Sequence, residues 1–363
     1  MTQSTIKKEI NKPLEPLDSI NSVYNLKSFS IQNRRYLGNK HKLLEFIDGI
    51  VRKECEDTKT FCDIFAGTGV VGSYFNNKGI SVIGNDILSS SFACLSAFLS
   101  TDYDYVETVS EKIKYLNNLS SEKDNYFSQN FGGSYFSKEN ARKIGFIREE
   151  IESISQNEKE KNILLCSLLY AVDKTANTVG HYDAYRKDLD MLAPLELLLP
   201  QIDWQSNKRN KIYKKDANKL VREISCDVLY IDPPYNSRQY SDTYHLLENL
   251  SDWNKPEVSG VAKKMNRSHI KSRYCLKDAT EAFQDLIENA KCEHILLSYN
   301  NTGESKDDRS NARISDDDIL RILKSKGRVK VYEKTYPAFT TGRSNGDGHT
   351  ERIFYCRVNN KKI

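Results

Sequence analysis

The apolar positions of this chain change period as it is read from one end to the other. Leu43, Leu44, Ile47, Ile50 and Val51 recur every three or four residues, which predicts one buried face of a helix. Thr60 to Ile64 is a short apolar run closed by Phe65-Ala66-Gly67-Thr68-Gly69, after which Val70, Val71, Tyr74 and Phe75 predict a second helix. Ile80 to Asn85 reads as another strand, ended by Asp86. From about Ser90 to Asn210 this alternation stops, and KNILLCSLLYAV and LAPLELLL are expected to be helical. It resumes at Lys211-Ile212-Tyr213 and reaches Cys226-Asp227-Val228-Leu229-Tyr230-Ile231, whose uninterrupted β-branched and aromatic residues mark a buried strand. A helix near Ala282 to Ala290, a strand over His294 to Asn300, and the strand pair VKVYEKTY and RIFYCRV complete the pattern. Strands alternating with helices predict an α/β, Rossmann-like sheet carrying an inserted, mostly helical segment. The expected division is a flexible arm over 1–30, a main domain over 31–90 and 211–363, and the insertion over 91–210.

Composition narrows the picture only slightly. The chain has 363 residues, 38% of them hydrophobic, enough for a sizeable core, and 54 Lys and Arg against 50 Asp and Glu. A net charge of +4 permits a nucleic-acid partner without establishing one, because local clustering decides. The eight cysteines form no C-x-x-C and pair with no suitably spaced His, so buried thiols in a reducing cytoplasm are expected and a metal site is not. No signal-peptide core and no run of 18 apolar residues is present, which predicts a cytoplasmic protein with no membrane partner.

Candidate chemistry gathers at the ends of the predicted strands. The strand at 226–231 stops at Asp232-Pro233-Pro234-Tyr235, since proline has no N–H for the ladder. That puts Asp232 at a strand's carboxyl end, where open α/β sheets bind ligands. Tyr36-Leu37-Gly38-Asn39-Lys40 opens the first helix and suits a carboxylate or phosphate, although a solvated basic turn would have the same composition. Phe65, Gly67 and Gly69 let backbone amides approach a ligand, and Asp86 is placed to accept both hydroxyls of a ribose or merely to cap a helix. Asp216 repeats the acid at a strand end and would take the exocyclic amine of a base. Carboxylate end, ribose and base are the parts of S-adenosylmethionine. NAD is the rival: Gly67, Gly69 and Gly72 come near the dinucleotide fingerprint and do not decide by themselves, yet hydride transfer leaves D-P-P-Y without a role. An aspartate and an exposed proline carbonyl suit the two N–H groups of a planar amine, and Tyr235 would stack on its ring. Methyl transfer to a ring-conjugated amino nitrogen is the chemistry that this set of residues favours.

Nucleic-acid contacts are expected from three polar segments. Asn177, His181, Tyr185, Arg186 and Lys187 lie in NTVGHYDAYRK, too polar for a core and rich in cations and aromatics. Arg238 and Tyr240 follow D-P-P-Y, and Arg343 sits between the last two strands.

RYLGNKHKLL, DIFAGTGVVG, the GND at 84–86, KKDA at 214–217 and DPPY occur in an order that resembles the Dam-type class of DNA adenine methyltransferases over roughly residues 34–358. The resemblance implies S-adenosylmethionine as cofactor, bound by Tyr36, Lys40, Asp86, Asp216 and Asp232. It also implies double-stranded DNA as substrate, with the adenine flipped from the stack. Tyr36 stands where such enzymes often have tryptophan, and Leu37-Gly38-Asn39 replaces two consecutive glycines. NTVGHYDAYRK points to a restriction-associated branch, with a cognate endonuclease acting separately. An RNA adenine methyltransferase and a catalytically silent DNA-binding subunit are the alternatives.

Overall fold

The computed structural model describes residues 26–34, 36–189, 193–300, 312–336 and 349–359. Its main sheet is built from β2 (Thr60–Asp63), β3 (Ser81–Asn85), β5 (Lys211–Tyr213), β6 (Cys226–Ile231), β7 (Cys292–Ser298), β8 (Gly327–Tyr336) and β9 (His349–Val358), in the order β5-β3-β2-β6-β7-β9-β8. The first five are mutually parallel, whereas β9 runs antiparallel between β7 and β8. The chain leaves β2 toward β3 on one side and β6 toward β7 on the other. The gap between these two neighbours, in register at Phe61 with Val228 and Asp63 with Tyr230, is therefore the switch point of the sheet.

The unbroken apolar run of β6 has a simple cause. Val228 and Tyr230 enter the core under α1 (Leu44–Glu54) and α2 (Val70–Asn76), while Leu229 and Ile231 enter the opposite core under α11 (Ala279–Asn289) and α12 (Asp316–Lys326). A parallel strand covered on both faces has no solvent side on which to place polar residues. Of the predicted stripe, Leu43 just before α1 and Ile47, Ile50 and Val51 within it are each no more than 5% exposed, while Leu44 is partly buried.

Between β3 and β5 come α3 (Ser89–Ser100), α4 (Val106–Asn118), α5 (Tyr126–Phe131), α6 (Lys138–Ile154) and α7 (Glu158–Thr175). They share one apolar core that reaches Val82 of β3 and Leu246, Leu247 and Leu250 of α10 (His245–Asp252). Most of the aromatic residues of this region, including Tyr105, Phe127, Phe131, Tyr135 and Phe136, are buried in that core.

Two local expectations need correction. From Ala193 on, LAPLELLL is extended: Leu195, Leu197 and Leu199 are buried at alternate positions, and Leu199–Pro200 forms β4. Two asparagine side chains hold it so. Asn140 accepts from Leu195 N and donates to Ala193 O, and Asn117 does the same for the N–H and carbonyl of Leu197. These side chains replace the helical ladder that Pro194 and Pro200 would in any case interrupt. The second correction concerns the arm, whose described end, Ser28–Phe29, is a strand (β1) parallel to β4 with Phe29 buried. The tip between β8 and β9, with Arg343, lies outside the described residues.

Truncating Leu197 to alanine should lower stability by about 2–5 kcal/mol in a denaturant titration. Glu196→Ala, one residue away on the solvent side, should cost no more than about 0.5 kcal/mol, because its ion pair with Lys27 is exposed.

Candidate active site

One cavity opens at the carboxyl ends of β2, β3, β5 and β6 and encloses about 970 Å³ including its mouth. Tyr36, Lys40, Phe65, Gly67, Asp86, Asp216 and Asp232 all line it, so seven of the eight residues expected to hold a cofactor meet although they span 197 positions, from 36 to 232. The eighth, Gly69, does not line it. Gly69 has φ +83° and caps α2, and an added Cβ would lie 2.6 Å from Leu95 Cδ2 of α3, so its role is to let the turn approach the neighbouring helix.

The electrostatics of the cavity are dominated by partly or fully buried carboxylates. Lys40 Nζ lies 3.0 Å from Asp232 Oδ1. Burial raises the Asp232 carboxyl above its ordinary range and the Lys40 ammonium opposes that rise. For Lys40 itself burial acts downward, and the attraction of Asp232 and Glu351 more than offsets it. Asp86 accepts from Gly67 N and Leu88 N, both at 2.9 Å, which ties the glycine turn to the end of β3. Burial nevertheless pushes Asp86 up to about 6, with those two amides pulling the other way. Asp63, at the end of β2, is 1% exposed and raised well above its ordinary value by burial and by Asp232 and Asp86. Sequence reasoning missed Asp63 as a site residue because it sits inside the strand; the available signal was an acid at the last position of a parallel strand.

An aromatic wall closes one side. Tyr36 stacks on Tyr244 with ring centroids 4.6 Å apart and planes 6° apart, and on Tyr240 at 5.4 Å. Tyr240 Oη donates to Leu37 O and Tyr244 Oη accepts from Leu37 N, so both fix the turn that carries Tyr36. Tyr240, expected from the sequence to contact nucleic acid, lines this cavity; it belongs to α9 (Tyr240–Thr243), which packs beside the turn. A Cβ on Gly67 would stand 3.1 Å from Tyr36 Cε1, so the turn approaches the ring as closely as a glycine allows. Gln239, Ser272 and Tyr274 also line the cavity, the last in edge contact with Phe65, and nothing in their local sequence marked them.

Of D-P-P-Y, Asp232 and Pro234 line the cavity, Pro233 is buried, and Tyr235 is partly buried beside it, edge-on to Tyr299. The Tyr235 carbonyl accepts from Arg313 N and from Tyr299 Oη, which pins the loop from behind. Asp216 caps α8 (Ala217–Leu220) by accepting from Lys219 N while also lining the cavity.

The 177–187 segment is an irregular loop. Asn177 is buried and donates to Ser134 O and Arg186 O, an anchoring role, while Tyr185 packs edge-on against Tyr135. His181 is partly exposed, with its Nδ1 3.9 Å from Asp183 Oδ2. Arg186, Lys187 and, beyond D-P-P-Y, Arg238 are exposed. Among the described residues no cluster of metal-ligating side chains occurs, and no helix is long and apolar enough to cross a membrane.

This arrangement has relatives. Residues 36–301, most of the chain, match the family model of the D12 class N6 adenine-specific DNA methyltransferases. The chain belongs to that family. Within it, the chain is 37% identical over 309 residues to the modification methylase StsI of Streptococcus sanguinis, covering 80% of this chain and 46% of that one. It is 36% identical over 349 residues to the type II methyltransferase M.FokI of Planomicrobium okeanokoites, covering 89% and 52%. Over 329 residues it is 31% identical to the type II methyltransferase M.NlaIII of Neisseria lactamica, covering 86% of this chain and 95% of that one. The chain thus spans about half the length of the first two of these relatives and nearly all of the third.

Gly69→Ala should destabilise this member of the family by about 2–4 kcal/mol in a denaturant titration, from left-handed strain plus crowding against Leu95. Gly79→Ala, at φ +81° but facing open space, should show the strain alone, about 1 kcal/mol.

Proposed function

We propose that this chain is a sequence-specific DNA methyltransferase that moves a methyl group from S-adenosylmethionine to the exocyclic amino nitrogen of adenine in duplex DNA. The observation that carries this reading is the meeting of Asp232, Asp86, Asp216 and the Tyr36–Gly67 contact in one cavity at the switch point. The residues suit the cofactor. Four acids, Asp63, Asp86, Asp216 and Asp232, line the cavity with Lys40, whereas its two other cations, Lys215 and Arg273, pair with Glu223 and Asp278; that balance favours a ligand bearing sulfonium and ammonium charges, and Asp63 Oδ1 has no hydrogen-bond partner among the described residues. When bound, the cofactor supplies an electrophilic methyl group.

In this reading Asp86 accepts the ribose hydroxyls, Asp216 the amine of the cofactor's base, and Phe65, Gly67 and Tyr36 pack along its length. Asp232 and the Pro233 carbonyl accept the two N–H groups of the target adenine, drawing its nitrogen toward a pyramidal, more nucleophilic shape, and Tyr235 stacks on the ring. Lys40, 3.0 Å from Asp232, keeps that carboxylate charged until the amine arrives. A nitrogen shaped in this way would take the methyl group that the bound cofactor supplies, the sulfonium being left as a neutral thioether. The nitrogen then loses its proton to Asp232 or to water. Reaching the base in a duplex requires its extrusion, at a cost of a few kcal/mol.

The helical region between β3 and β5 takes the part of target recognition, with His181, Tyr185, Arg186, Lys187 and Arg238 against the duplex. The role we assign is that of the modification enzyme in a cytoplasmic restriction-modification system, alongside a separate endonuclease reading the same site.

Incubation with labelled S-adenosylmethionine and genomic duplex DNA, followed by digestion to nucleosides, should place the label in N6-methyladenine. Absence of label there in a folded, cofactor-binding protein would sink the proposal, and label in competing RNA would redirect it. Asp232→Ala should lower the rate about a hundredfold or more with duplex binding retained. The Asp86 carboxyl, raised to about 6, must be ionised to accept both hydroxyls, so the bound state favours its charged form. Cofactor affinity measured by calorimetry should therefore fall about fourfold from pH 7.5 to 5.5, whereas Asp86→Asn should bind weakly at both values.

A further inference from the structure

Arg34 lies just before the residues that line the cavity and touches none of the expected ligands. It is 3% exposed, and its side chain is fully buried. Its Nε donates to Asp173 Oδ2 at 3.0 Å, and its guanidinium carbon stands 5.5 Å from the Tyr36 ring centroid and 5.9 Å from that of Tyr244. One planar cation thus meets the two most closely stacked tyrosines of the aromatic wall, a contact that orients as well as attracts.

Asp173 lies in the last turn of α7, where the helix dipole disfavours a carboxylate. Its two oxygens account for its presence. Oδ2 holds Arg34, and Oδ1 accepts from Tyr182 Oη at 2.7 Å. Tyr182, 2% exposed, is the anchor of the 177–187 loop: its N–H donates to Thr243 O, and its carbonyl accepts from Tyr135 Oη and lies 2.9 Å from His245 Nε2. A single carboxylate therefore joins the cofactor wall on one side to the root of the exposed loop on the other.

We propose that Arg34 and Asp173 are positioning residues for the reaction assigned above: Arg34 holds Tyr36 in its cofactor-gripping pose, and Asp173 shares itself between that grip and the 177–187 loop. The inference rests on the proposed function only for the identity of the two ligands. Neither residue contacts reacting atoms, so the effect falls on binding, not on the chemical step.

The test uses the full chain, first mapping its methylated site by sequencing, then measuring kcat and both KM values on a duplex carrying that site. Arg34→Lys keeps the charge but loses the planar fork, and should raise the cofactor KM about tenfold with kcat within about threefold. Tyr182→Phe removes only the hydroxyl and should raise the duplex KM while leaving the cofactor KM unchanged. Asp173→Asn should raise both. If Asp173→Asn fails to fold, the two other variants carry the test by the opposite directions in which they split. Were both KM values unchanged, or kcat lowered alike in every variant together with the melting temperature, these residues would be structural only and the proposal overturned. If the wild type methylates nothing, equilibrium affinities for S-adenosylmethionine and for duplex DNA replace the KM values, so the failure of the assigned reaction is seen separately from the failure of this one.

Discussion

Carboxylates do not bury themselves without cause. Asp63 and Asp232 end neighbouring parallel strands at the switch point, and Asp86 ends the next strand along. Each is pushed toward its neutral form by loss of water, and the first is pushed further by the other two. This arrangement persists because β2 and β6 are fixed by packing on both faces of the sheet. The covered sheet supplies the stabilisation that the cavity lacks, and the cavity keeps an unmet demand for positive charge and hydrogen-bond donors. Lys40 meets part of that demand. The remainder is what a cationic ligand and an amine would satisfy.

Around this cavity the supports are arranged in layers. Leu37 gives its N–H to Tyr244 and its carbonyl to Tyr240, so the turn bearing Tyr36 is held at both backbone groups. Behind it, Arg34 and Asp173 carry the same constraint into α7 and the loop beyond. On the opposite side the Tyr235 carbonyl is pinned by Tyr299 and Arg313. Side chains gripped in this way lose little further entropy when a ligand arrives, which is the physical content of preorganisation.

Much of this was legible in the sequence where the controlling forces are local. The run from Cys226 to Ile231, the prolines that end it, the glycine turn after β2 and the stripe on α1 all report short-range geometry or a burial pattern. Ordered along the chain, they were enough to place seven cofactor candidates that share one cavity. Where a side chain's partner is remote, the same reading failed. LAPLELLL has the composition of a helix, yet Asn117 and Asn140 hold its backbone extended at Ala193, Leu195 and Leu197. Nothing local to Tyr240 announces the wall it joins, which is built on residue 36.

The sequence by itself therefore determined the strands, their ends and the chemical identity of the groups placed there, since backbone sterics and burial periodicity act over a few residues. The tertiary structure alone decided which of those groups meet, that Gly69 serves helix packing, that Asp63 joins the acids, and that Arg34 pairs with Asp173 across 139 positions of chain. Such pairings are set by how whole elements pack, and no local spacing encodes them.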